Sequence, residues 1–214
     1  ALANCELGVL SQEKCEAICK ACDEVVAGKF DDQFPVDVFQ GGAGTSCNMN
    51  ANEVIANRAL EIMGHKKGEY QYCHPNNDVN CSQSTNDAYP TAMRIALYAK
   101  LTQLIGDMDY LRQALADKAE EFRDVIKMGR TQLQDAVPRT LGMEFAAYAE
   151  TIHEDMMRVG EARNLIAEIN MGATAIGTGI NSPEGYAALV TRKLREVSGV
   201  PVEMAGNMVE ATSD

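Results

Sequence analysis

The sequence has 214 residues, 46% hydrophobic and 23% charged, which suffices for one large domain or two small ones with a sizeable core. Its formal net charge of −12 repels phosphate backbones and argues against nucleic-acid binding, while local donors can still hold a small anion. No apolar run approaches the roughly 18 residues of a membrane span, and no charged start leads into an apolar secretory signal. The seven cysteines, an odd number set inside apolar patterns, read as reduced thiols of a cytoplasmic protein.

Residues 11–27 read as a helix, with Ser11 as its N-cap and Gly28 as its stop. Ala17, Ile18, Ala21, Cys22, Val25 and Val26 form its apolar face. Cys15, Cys19 and Cys22 share that face at i, i+4, i+7; three thiolate metal ligands would want a fourth partner and a turn-type spacing, so a core stripe is the preferred reading. Residues 29–44, with Pro35, Gly41, Gly42 and Gly44, read as loop with a short extended piece at 36–39. A second helix is expected from about Ser46 to Met63, burying Val54, Ile55, Ala59, Ile62 and Met63 and ending at Gly64. Residues 65–86 are polar and turn-rich, with His74-Pro75-Asn76-Asn77-Asp78 a turn by composition.

Two long helical seams follow. From Met93 the apolar positions are Leu97, Leu101, Leu104, Met108, Leu111, Leu115, Ala119 and Phe122, in steps of three and four. About thirty residues at this spacing predict a rod of roughly 45 Å. The second seam runs Leu141, Phe145, Tyr148, Ile152, Met156, Val159, Ala162, Ile166 and Ile169. Neither rod can bury its seam alone, so a hairpin across residues 124–139 and a multi-helix bundle completed by other subunits are expected. Pro90 and Pro138 read as rod starts. The glycine-rich residues 172–179 lack the lysine and preceding strand of a phosphate loop. Ser182-Pro183 then reads as N-cap and first residue of a helix running to about Val197 and stopping at Gly199, and residues 211–214 as another helix start.

Three polar stretches share one chemistry. Residues 129–138, Gly-Arg-Thr-Gln-Leu-Gln-Asp-Ala-Val-Pro, lie between the seams and present Arg130, Thr131, Gln132, Gln134 and Asp135. They are echoed by Gly44-Thr45-Ser46-Cys47-Asn48 and Ser82-Gln83-Ser84-Thr85-Asn86-Asp87. Each reads as a loop opening a helix, where unpaired N–H groups and the helix dipole favour a carboxylate. Each hydroxyl or amide taken alone is as well explained as a helix cap.

The stretches Gly41-Gly-Ala-Gly-Thr-Ser-Cys-Asn-Met-Asn50, Ser82-Gln-Ser-Thr-Asn-Asp87, Gly129-Arg-Thr-Gln-Leu-Gln-Asp-Ala136 and Gly172-Ala-Thr-Ala-Ile-Gly-Thr-Gly179 occur in the order seen in the aspartase/fumarase superfamily, and the chain resembles that superfamily along essentially its whole length. Glu69-Tyr-Gln-Tyr72, Ser84-Thr85 and Asp135-Ala-Val-Pro138 resemble the aspartase branch more closely than class II fumarases. The resemblance implies an all-α fold, with residues 1–86 part of a helical N-terminal domain and residues 87–214 part of a central long-helix bundle. It implies reversible elimination of ammonia from L-aspartate to give fumarate through an enediolate, with no cofactor and no metal, in a homo-oligomer that is a homotetramer at full length; the alternatives are a class II fumarate hydratase or a non-catalytic dicarboxylate-binding module. Carried over residue by residue, Thr45, Ser84 and Thr85 would bind the β-carboxylate, Thr131 the α-carboxylate, and Asn86 with Thr85 the amino group. Gln132 stands where relatives carry histidine and cannot change charge near neutral pH. His74-Pro75-Asn76 resembles a second dicarboxylate site of fumarases, but a plain turn is preferred; His65 has no matched role, and His153 reads as a packed helix residue.

The superfamily's loop Gly-Ser-Ser-x-x-Met-Pro-x-Lys-x-Asn, which carries the catalytic base serine and a lysine for the α-carboxylate, is not in this sequence. No catalytic base is therefore expected among these residues. The chain reads as an N-terminal portion of a longer enzyme, inactive alone.

Overall fold

The computed structural model describes residues 1–37, 39 and 43–213. Val38, Gly41 and Gly42 lie outside the described residues, and with them part of the expected extended piece and of the first glycine motif. The chain is mainly helical, as the sequence implies, with two short two-stranded sheets added. It divides into two compact units, residues 1–95 with 167–214, and residues 96–166.

The first unit opens with a short helix that the sequence pattern did not signal, α1 (Leu2–Glu6). α2 (Gln12–Val26) starts where expected: the Ser11 side chain accepts from the Lys14 N–H, and Gly28 follows the helix at φ +75°. Its buried face is Cys15, Ala17, Ile18 and Ala21. That face packs with Ala56, Ala59 and Leu60 of α3 (Thr45–Ile62), and Cys19 and Cys22 lie at the margin of the same cluster. The thiol stripe is thus core. Burial pushes the Cys15 thiol up to about 12 and Cys22 to about 11, which keeps them protonated. The buried side of α3 is largely the expected one: Ala59 is fully buried, and Ile55, Ile62 and Met63 pack against the same cluster, while Val54 does not join it. Asn52, Ala56, Ala59 and Leu60 face inward, whereas Val54, Ile55, Ile62 and Met63 are only partly covered. Small alanines let the two helices approach closely, and Ile55, Ile62 and Met63 pack around that contact.

A π-type turn, Pro75–Val79, is fastened to α2 by Lys14, whose Nζ lies 2.8 Å from both Asp78 oxygens. The His74 ring Nδ1 accepts from the N–H groups of Asn76 and Asn77. His65 stacks on Tyr72 at 3.7 Å between ring centroids. α4 (Thr85–Glu121) follows, starting well ahead of Met93. Pro90 therefore lies inside the helix, not at its start as the sequence suggested. Proline removes the N–H that would reach the carbonyl four residues back. That carbonyl, of Asn86, instead accepts from the Asn170 side chain at 3.0 Å.

The second unit takes the rest of α4 into an antiparallel hairpin of β1 (Ile126–Thr131) and β2 (Gln134–Thr140), and then α5 (Leu141–Leu165). Residues 129–138 thus form a hairpin and do not open a helix, and Pro138 sits in a strand. α5 starts at Leu141, capped by the Thr140 hydroxyl, and ends at Leu165, short of the Ile169 that the seam implied. At the hairpin end the two helices meet closely: a Cβ on Gly142 would lie 2.4 Å from the Ala119 carbonyl, and the Phe122 and Phe145 rings are 5.4 Å apart. Elsewhere the seams are partly open to solvent. Leu97, Leu104 and Leu111 of the α4 seam and Tyr148 of the α5 seam are exposed, as are Met143 and Met157 beside the latter, while Leu101, Met108, Ile152 and Met156 are half-covered. His153 is exposed too, not packed.

The chain returns to the first unit with β3 (Glu168–Ile169), then α6 (Tyr186–Ser198), β4 (Glu203–Met204), parallel to β3, and α7 (Met208–Ser213). α6 begins at Tyr186 after Gly185 at φ +80°, and the Ser182 hydroxyl, expected as its cap, lies within hydrogen-bonding distance of the Gly172 and Gly179 carbonyls. Gly199 ends α6 as expected, at φ +69°. Asn207 caps α7 through the N–H groups of Val209 and Glu210. Glu6 of α1 joins Arg192 and Lys193 of α6 at 2.9 and 3.1 Å.

Candidate functional site: a hydroxyl and amide cluster at two helix starts

The first turn of α4 is closed in the manner of a capping box, with the Ser84 hydroxyl bonded one residue earlier than usual. The Ser84 hydroxyl accepts from the Asn86 N–H at 3.2 Å, and Asp87 reaches back to accept from the Ser84 N–H at 2.9 Å. The Thr85 hydroxyl accepts from the Asn48 side chain of α3 at 3.1 Å. A hydroxyl that already accepts keeps its proton to give. Ser84 and Thr85 are therefore held as donors, next to the positive end of a 37-residue helix.

The start of α3 is held against the same place. Asn48 and Asn52 both donate to the Asn80 carboxamide oxygen, at 3.2 and 3.0 Å. Gly44, at φ +84°, lets the Tyr89 ring come so near that a Cβ would sit 2.4 Å from it. Thr45, the first residue of α3, is exposed beside this contact. Four of the expected residues, Thr45, Ser84, Thr85 and Asn86, thus gather where two helices begin.

Behind them lies a turn that the sequence reading set aside. Asn86 donates its side-chain amide to the Ala175 carbonyl at 2.7 Å. Asp87 is fully buried, and its second oxygen accepts from the N–H groups of Gly172 and Thr174 at 3.2 and 2.8 Å. Burial raises this carboxyl above its ordinary value, and the backbone N–H groups pull it part of the way back. Asp87 was legible in one respect: Ser84-x-x-Asp87 has capping-box spacing. Its bonds to residues more than 80 positions away had no local signal.

Thr131 and Gln132 belong to the second unit. Thr131 pairs with Gln134 at the end of the hairpin, and Gln132 and Leu133 form its two-residue turn at φ +48° and +64°. All are exposed, and Arg130 faces Asp135 at 3.4 Å. At the base of the hairpin Glu144 is paired with Lys127 and Arg139. The Lys127 hydrogen bond and the Arg139 charge hold its carboxyl below the usual range. Among the described residues no group of three or more histidines, cysteines or carboxylates is arranged to hold a metal ion.

The helix starts of this mainly helical chain collect neutral donors, and the family model described as "Lyase" matches residues 1–214. The chain belongs to that lyase family. It is 60% identical over 212 residues to the aspartate ammonia-lyase of Helicobacter pylori, a match covering 99% of this chain and 45% of that protein. The crystal structure of a fumarate lyase:delta crystallin from Brucella melitensis bound to cobalt superposes with a TM-score of 0.95 at 54% identity, over 99% of this chain and 46% of the other. A class II fumarase from Schistosoma mansoni superposes at 0.93 and 33% identity, over 98% and 47%. The chain spans less than half the length of these relatives.

Proposed function

We propose that this chain is part of a cytoplasmic ammonia-lyase that reversibly eliminates ammonia from L-aspartate to give fumarate. The supporting geometry is the pair of hydroxyls, Ser84 and Thr85, each accepting from an internal donor and so keeping its proton to give to a ligand. Abstraction of the C3 proton puts a second negative charge on the adjacent carboxylate. Donors fixed before the reaction stabilise that charge without reorganising, an effect worth about 10²–10³-fold per donor. Thr45, Ser84 and Thr85 take the β-carboxylate in this reading, Asn86 with Thr85 the amino group, and Thr131 the α-carboxylate. Gln132 offers an amide there and carries no proton between substrate and solvent. The base that removes the C3 proton comes from residues beyond this chain.

In this reading residues 1–86 are part of the N-terminal helical domain and residues 87–214 part of the central bundle, a division that cuts across the compact unit of residues 1–95 with 167–214. The solvent-facing seams of α4 and α5 are the reason to read the full protein as a homo-oligomer, a tetramer at full length. The higher identity to an ammonia-lyase than to a class II fumarase favours aspartate over malate.

The test is fumarate absorbance on adding L-aspartate to the full-length protein. Thr85→Val is expected to lower kcat/KM about 10²–10³-fold, the range for loss of one such donor. Turnover of malate with none of aspartate would instead establish the hydratase. Silence toward both would leave a binding module.

A further inference from the structure

We propose that Asp87 is a positioning residue for this reaction: it clamps the turn at residues 170–175 behind Ser84-Thr85-Asn86 and so aims their side chains. The inference rests on the reading of those three residues as substrate contacts.

Four bonds cross from the start of α4 to that turn. Gly172 and Thr174 donate their N–H groups to Asp87 Oδ2, Asn86 donates to the Ala175 carbonyl, and Asn170 donates to the Asn86 carbonyl. The last of these uses the acceptor that Pro90 leaves without a helical partner. Asp87 Oδ1 meanwhile holds the Ser84 N–H. One fully buried carboxylate therefore fixes both the cap residue whose hydroxyl faces the ligand and the backing turn. Thr174 is held at φ +60°, a conformation a threonine adopts only when its surroundings impose it. The glycine at 172, at φ +94°, cannot carry a side chain, because a Cβ would lie 2.8 Å from that of Ala187.

A carboxylate suits this position because every group facing it is a donor. In Asp87→Asn the NH₂ must confront either the Ser84 N–H or the pair on the turn, so one side of the clamp opens while volume is unchanged. Misplacement of a substrate contact by about 1 Å costs on the order of 10²-fold in rate.

The experiment is a double-mutant cycle on aspartate turnover by the full-length protein, with wild type, Thr85→Val, Asp87→Asn and the pair. Asp87→Asn is expected to lower kcat/KM on the order of 10²-fold. The pair is expected to be far less impaired than the product of the single losses, because Asp87 acts through the Thr85 neighbourhood. Losses that multiply, or an Asp87→Asn protein at wild-type rate, overturn the proposal and leave the substrate contacts intact. A Thr85→Val protein at wild-type rate removes those contacts and the proposal together. If Asp87→Asn does not fold, Asn170→Leu, which deletes only the bonds that the Asn170 side chain makes, enters the same cycle. Wild-type kcat/KM in that variant, or losses that multiply, overturns the clamp, and non-multiplying losses support it.

Discussion

Gly44 shows how one missing atom decides the geometry around it. It stands at φ +84° before α3, with the Tyr89 ring where a Cβ would be. Gly64 shares the left-handed backbone, φ +85°, but faces open space. Gly64→Ala is expected to cost about 1 kcal/mol, for the backbone alone. Gly44→Ala is expected to cost roughly 2–4 kcal/mol, because displacing the ring adds an overpacking cost. Urea denaturation of the full-length variants measures both, and equal costs would show that the Tyr89 contact does not restrain the site. Sequence alone marked Gly44 as a loop glycine before a helix. That its neighbour is an aromatic ring 45 positions on could not be read from spacing.

At the scale of elements, helix ends that depend on one local side chain were legible. Ser11, Gly28, Gly64 and Gly199 stand where the sequence placed the starts and stops. Ser182 and Pro90 misled because their roles are set from far away. Ser182 spends its hydroxyl on the turn at Gly172 and Gly179, and Pro90 is tolerated within α4 because Asn170 supplies the lost donor. A turn between the two rods was expected, but that its chain forms the two strands β1 and β2 escaped notice for a different reason. The hairpin has Pro138 in a strand and Gln132-Leu133 at its tip, where Asn-Gly is the usual signal. Leucine at φ +64° is strained, so Leu133→Gly is expected to raise stability by about 0.5–1 kcal/mol. Thermal melts of the full-length variant would show it, and a lowered melting temperature would mean that the exposed Leu133 side chain packs against a partner.

For the whole molecule, the seams matter most. Their three-and-four spacing was plain in the sequence, and the structure leaves Leu97, Leu104 and Leu111 exposed along one helix. Apolar rows of this length want cover. Sedimentation of the full-length protein is expected to give an oligomer, and Leu104→Asp with Leu111→Asp to shift it to monomer. An oligomer unchanged by both substitutions would place the interface elsewhere. The candidate site divides along the same lines. That Ser84 and Thr85 open a helix could be read from composition and order, whereas Thr131 lies in a strand of the hairpin and Asp87 gains its partners only where residues 170–175 close behind it.

The division of the first unit between the two ends of the chain has a consequence for biosynthesis. The core around Ile18 and Leu60 draws on residues 1–79 and can gather as soon as these emerge. Asp87 must wait for Thr174, 87 positions later, and Glu6 for Arg192, 186 positions later. At about 5–20 residues per second, the Asp87 carboxylate spends roughly 5–20 s on the nascent chain before its last backbone partner is made. The carboxylate at the heart of the clamp is thus translated well before the turn that buries it.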